Sequence, residues 1–173
     1  MDRQRRLQLL VRRNRGRTVF KSYFEDLERL LAIKIAGRDR LDLETTDHLF
    51  EAYTNGLQKS KDQPQYCFRM TWTHEPIRAW MVECERIGGA LAGKGAVLFV
   101  GPYEFCGAIR VASDAAIRAA ASLLNFDGDT LRVGTFNASS GLYVDKYEEH
   151  SEWFIELVVW GDWAIQIAPI MAS

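Results

Sequence analysis

The sequence predicts an α+β fold, a helical N-terminal third followed by a mostly antiparallel sheet with packed helices. Three observations predict it. Apolar residues recur at helical spacing through the first sixty positions. The period then shifts to strand-like alternation after the polar stretch 59–64, and the last third reads as consecutive strands joined by short turns. At 173 residues one globular unit is expected, with 1–60 an Arg-rich helical segment and 65–173 the α+β core. A chain of this size buries about 70% of its unfolded surface, so it needs neither metal nor disulfide to fold.

Leu7, Leu10 and Val11 take i, i+3, i+4 spacing among arginines and predict a first helix. Thr18 reads as the N-cap of a second, with Phe20, Tyr23, Phe24, Leu27, Leu30 and Leu31 as its stripe and Gly37 as its end. A third starts near Thr46, carries Leu49, Phe50, Tyr53 and Leu57, and frays at Asn55 and Gly56. Residues 65–73 alternate as a strand. Pro76 suits helix position N1, ahead of the stripe Ile77, Trp80, Met81, Cys84 and Ile87. Strands are expected over 96–100 and 105–111, an alanine-rich helix from Ser113 to Leu124, and a turn over 126–129. Strands over 130–136, 142–148 and 152–160 follow, with a further one over 163–167 joined by a Gly161-Asp162 hairpin turn.

The net charge of −1 conceals a separation. Residues 1–21 hold seven arginines and Lys21 against Asp2, net +7; residues 142–163 hold six acids against Lys146, net −5. In that last third acids are mixed with aromatic rings, a composition suited to a basic protein partner. The candidate partner-binding residues are Tyr143, Asp145, Tyr147, Glu148, Glu149, Glu152, Glu156, Trp160 and Trp163. At the other end Arg3, Arg5, Arg6, Arg12, Arg13, Arg15 and Arg17 are candidates for contact with phosphate or acid, nucleic acid included.

Hairpin register sharpens the first set. Ile155, Leu157 and Val159 form one apolar face with Trp153, and Leu142 and Val144 with the stem of Lys146 form its match. Opposed residues share a face, so even positions must pair with odd ones, and the loop has an even length. Asp145 and Glu156 then become near neighbours on the other face, beside Tyr143, Tyr147, Phe154, Val158 and Trp160. Two acids so placed call for a raised pKa, a compensating arginine (Arg110, Arg118 or Arg132), or a partner's cation, or they serve as an acid–base or metal-binding pair.

Other chemistry finds less support. His48, His74 and His150 are isolated and no two potential ligands share a helical turn, so no metal and no cofactor is expected. Residues 92–95 (Ala-Gly-Lys-Gly) lack the upstream glycine and the Ser/Thr of a phosphate loop, and they lead into a strand. There is no Gly-x-Ser-x-Gly elbow. Cys84 falls on an apolar stripe and reads as a core thiol. Cys67 and Cys106 also sit in apolar contexts, and three widely spaced cysteines fit free thiols in a reducing cytoplasm. No secretory leader and no membrane-length apolar run is legible.

Three segments carry a resemblance. These are Asp127-Gly128-Asp129-Thr130-Leu131, Gly141-Leu142-Tyr143-Val144-Asp145, and Glu156 through Trp160-Gly161-Asp162-Trp163. Over about residues 127–163 the chain resembles small bacterial immunity proteins, the cytoplasmic antitoxins of contact-dependent and polymorphic-toxin systems. The resemblance implies a non-enzymatic inhibitor that blocks a basic toxin or nuclease domain with acidic side chains. The alternative expectation is a subunit of a nucleic-acid-associated or defence complex, docked through the Arg-rich helix. A small hydrolase using Asp145 and Glu156 is the third.

Overall fold

The computed structural model describes residues 3–60, 67–126 and 128–172. Gln65 and Tyr66 of the first expected strand, the connector residues 61–64, Asp127 of the quoted motif and the Arg3 side chain lie outside what is described. The fold is α+β, a helical N-terminal region followed by a six-stranded antiparallel sheet with helices on it.

Two long helices come first, α1 (Arg3–Leu31) and α2 (Leu43–Ser60). Strand β1 (Cys67–Trp72) and α3 (Pro76–Ala90) follow, the latter with Pro at its start as expected. Next come β2 (Gly95–Phe99), the helical turn α4 (Tyr103–Cys106), β3 (Ile109–Ala112), and two short helices, α5 (Ser113–Arg118) and α6 (Ala120–Phe126). The chain closes with β4 (Thr130–Gly134), β5 (Gly141–Glu149), β6 (Glu152–Trp160) and α7 (Asp162–Met171). The strand order is β1-β6-β5-β4-β2-β3, every neighbouring pair antiparallel.

Strand alternation divides the core in two. One sheet face carries Leu142, Val144, Ile155, Leu157 and Val159, all fully buried, and packs against Trp80, Cys84 and Ile87 of α3 and Trp163 and Ile167 of α7. Tyr23, Phe24 and Leu27 of α1 join this cluster, and the Tyr23 hydroxyl donates to the Val100 carbonyl at 2.7 Å. The other face packs Val97, Phe99 and Trp160 under Tyr53 of α2. Tyr53, fully enclosed, donates to the Leu142 carbonyl at 2.7 Å. Burial holds its pKa well above the ordinary tyrosine value, so it stays a neutral donor.

Several local expectations are corrected. The first two helices are one, α1. Thr18 does not cap, because its hydroxyl donates to the Arg15 carbonyl within the helix. Gly16 lies at the contact with α4, where an added Cβ would stand 2.3 Å from the Phe105 carbonyl oxygen. The helix ends not at Gly37 but at Leu31. There Ala32 turns left-handed (φ 53°) and the Ile33 amide closes on the Glu28 carbonyl, a Schellman closure without glycine.

The helix expected from Thr46 starts at Leu43. Asp42 is its cap, accepting from the Thr45 amide at 2.8 Å and from its hydroxyl, and α2 runs on through Asn55 and Gly56. Residues 105–106 belong to a helical turn, not a strand. The strand over 163–167 is instead helix α7. Gly161 adopts φ 69°, ψ −150°, which ends β6 without a hairpin, and the Ser140 hydroxyl accepts from the Asp162 amide at 3.0 Å. Trp163, Ala164, Ile167 and Met171 then bury one helical face.

Candidate functional site

The expected even–odd register is the one found. Asp145 stands directly opposite Glu156, Tyr143 opposite Val158, and Tyr147 opposite Phe154. The loop is the two-residue pair His150-Ser151, with φ 52° and 67°, the left-handed combination of a type I′ turn. Neighbouring strands widen these pairs into rows. One row runs Thr71, Glu156, Asp145, Thr130; the next runs Arg69, Val158, Tyr143, Arg132. Toward the hairpin tip the Tyr147 and Phe154 rings stack, centroids 5.3 Å apart, and Glu149 faces Glu152 beyond them.

Helix α2 covers this sheet face only at the Trp160 end. Tyr143 packs at the edge of that covered cluster, while Asp145, Tyr147, Phe154 and Glu156 remain partly exposed. The result is an open strip with aromatic residues between two pairs of acids. Among the described residues no cation stands within 4 Å of either the Asp145 or the Glu156 carboxylate. Partial burial raises the Asp145 pKa, against the opposing influence of the Tyr143 hydroxyl and Arg132. Tyr143 is raised too, first by burial and then by the charge of Asp145.

Of the three arginines considered as compensators, only Arg132 reaches the strip. Its guanidinium lies 5.4 Å from the Tyr143 ring centroid and 5.7 Å from that of Phe50, and it donates to the Thr130 hydroxyl. Arg110 instead lies over Phe136, and Arg118 pairs with Glu85. Arg132 therefore offsets part of the Asp145 charge from the neighbouring row, and neither acid of the pair has an ion-pair partner among the described residues. A raised carboxyl beside a second acid is also what general acid–base chemistry uses. An acid–aromatic strip equally fits a desolvated cation from a partner.

Not every expected contact residue lies on it. Trp160 and Trp163, each 2% exposed, are core side chains and are removed from the contact set. Trp160 packs edge-on against Tyr53 at 4.6 Å, and Trp163 sits in the opposite cluster. Glu148 is exposed on the other sheet face, paired across the hairpin with Trp153, near Lys146, which bonds Asp129 at 2.6 Å. Tyr143, Asp145, Tyr147, Glu149, Glu152 and Glu156 share the strip. Arg69 and Thr71 were not anticipated there. Strand alternation over 65–73 puts them on one side of β1, but nothing local says that β1 pairs with β6.

The arginine set divides as well. Arg12 is structural: it grips Asp47 of α2 with two nitrogens, at 2.7 and 2.9 Å, and its pKa is raised chiefly by that bond. Arg15 lies over the Phe105 ring at 5.9 Å. Arg5, Arg6, Arg13 and Arg17 are exposed.

The remaining chemistry-bearing groups are separate from the strip. Burial pushes the Cys84 thiol up to about 12, which makes it inert at neutral pH. Among the described residues no three potential metal ligands cluster. Among the described residues no helix is long and apolar enough to cross a membrane. Compared with protein-family models, curated proteins and solved structures, the chain matches none.

Proposed function

We propose that this chain is a non-catalytic binding protein whose acid–aromatic strip engages a basic protein, as an inhibitor of the immunity or antitoxin kind acting in the bacterial cytoplasm. The observation that supports it best is the Asp145–Glu156 pair, cross-strand neighbours with no described cation of their own within 4 Å. Such a pair destabilises the free protein and is relieved when a partner's Lys or Arg arrives. Tyr147 and Phe154 offer ring faces for the same cation, and Glu149 and Glu152 steer its approach. A toxin or nuclease domain with a basic active surface is the partner of fitting chemistry. The test is charge reversal at the rim. Glu149→Lys with Glu152→Lys is expected to weaken the complex at least tenfold, mainly by slowing association. Unchanged affinity would discard this surface.

A second reading is favoured by one feature of α1. Its outward side exposes Leu7 (62%), Leu10 (48%) and Val11 (46%) among the exposed arginines, an amphipathic face suited to docking on nucleic acid or an acidic neighbour. Deleting residues 1–17 is a poor test of it, because Leu9, Arg12 and Gly16 pack against the body. Arg5→Gln with Arg6→Gln removes charge without touching that packing. It is expected to spare the first activity and weaken the second.

A further inference from the structure

A groove opens between α1, residues 37–43 and α4, and none of its lining residues belongs to the acid–aromatic strip. Its volume is about 590 Å³, within the range of small-molecule sites. Three guanidinium groups line it: Arg13 and Arg17, one turn apart on α1, and Arg40, just after the turn at Gly37–Asp39. Phe20, Leu41, Leu43 and Phe105 supply its apolar lining.

The three cations make no ion pair among the described residues, though Arg40 contributes to the lowered pKa of Glu28. Among the described residues none of them has a carboxylate within 4 Å. Asp42 is the one acid lining the groove, and its carboxylate already accepts from the amide and hydroxyl of Thr45 as the cap of α2. Arg40 is moreover fixed in place. Its guanidinium lies 4.2 Å from the Phe24 ring centroid and 5.3 Å from that of Phe20, and one terminal nitrogen donates to the Ile35 carbonyl. Its Nε is buried without a hydrogen-bond partner. A cation held still against two rings loses little freedom when an anion reaches its terminal nitrogens, the buried Nε being out of a ligand's reach.

We propose that this groove binds a small phosphomonoester bearing a flat ring, of which nucleoside monophosphates are the type. The phosphate takes Arg13, Arg17 and Arg40, for which the planar guanidinium fork is the matching donor. The ring takes the wall of Phe20 and Phe105, and the 38% exposure of Phe20 leaves that wall accessible. The inhibitor reading does not involve this site, whereas the second reading shares Arg13 and Arg17 with it.

Isothermal titration of the full chain with AMP, GMP, CMP and UMP tests it, with adenosine and inorganic phosphate as the separate halves of the ligand. At least one monophosphate is expected to saturate one site, with adenosine and phosphate each at least about tenfold weaker. Arg13→Gln with Arg17→Gln, both exposed side chains, is expected to weaken binding by about tenfold or more at unchanged Tm. Lys21→Gln with Arg38→Gln removes the same charge from beside the groove and is expected to change binding less than about twofold. Absence of saturable binding by all four monophosphates overturns the proposal. So does an equal loss from the two double variants, which reports diffuse charge, or phosphate binding as tightly as the monophosphate.

Discussion

Asp145 is where fold and function pull in opposite directions. It faces Glu156 across two strands, and its pKa is raised, first by burial. A carboxyl whose folded pKa lies above the unfolded value stabilises the protein most below the unfolded value, near 3.9. That contribution is lost as pH rises through the raised folded value. Asp145→Asn is therefore expected to stabilise the protein at pH 7, by less than about 1 kcal/mol because the site is partly solvated. The gain should vanish below about pH 4. Thermal melts at the two pH values check this, and a loss of stability at pH 7 would mean that Arg132 matches the acid after all. At this scale alternation could place Tyr143, Asp145, Tyr147 and Glu156 on one face from the sequence. It could not show that Trp160 and Trp163 are core, because a tryptophan beside acids reads the same whether a helix covers it or not.

At the scale of elements, the turns show where local sequence and structure disagree. His150 and Ser151 both take left-handed φ, which side chains other than Gly, Asn and Asp resist. His150→Asn with Ser151→Gly keeps the two-residue loop and is expected to add about 1 kcal/mol of stability. Ala32 stands where a helix end favours glycine, and Ala32→Gly is expected to add about 0.5–1 kcal/mol. Chemical denaturation measures both. Gly16→Ala acts the other way: its Cβ would meet the Phe105 carbonyl oxygen at 2.3 Å, prising α1 from α4 at a cost of about 1–3 kcal/mol. The β5–β6 register was legible because two alternating runs flank an even loop. Helix α7 was not, since Trp163, Ile165 and Ile167 alternate like a strand and the decision lies with Gly161. The continuity of α1 was hidden by a threonine that resembles a cap.

At the scale of the whole molecule, charge is separated along the fold. The arginines of α1 project from one region and the acids of the β5–β6 hairpin from another, while Arg12 and Asp47 tie α1 to α2. The fold class followed from periodicity alone; the strand order did not, because bringing β1 beside β6 joins residues about ninety positions apart. That non-local pairing carries Arg69 and Thr71 to the strip. The most direct measurement is parallel affinity capture with the wild-type chain, the Glu149→Lys/Glu152→Lys variant and the Arg5→Gln/Arg6→Gln variant, each followed by mass spectrometry. A stoichiometric basic protein is expected on the wild type and the arginine variant and absent from the glutamate variant. The same protein retained by the glutamate variant and lost from the arginine variant would contradict that expectation and move the function to α1.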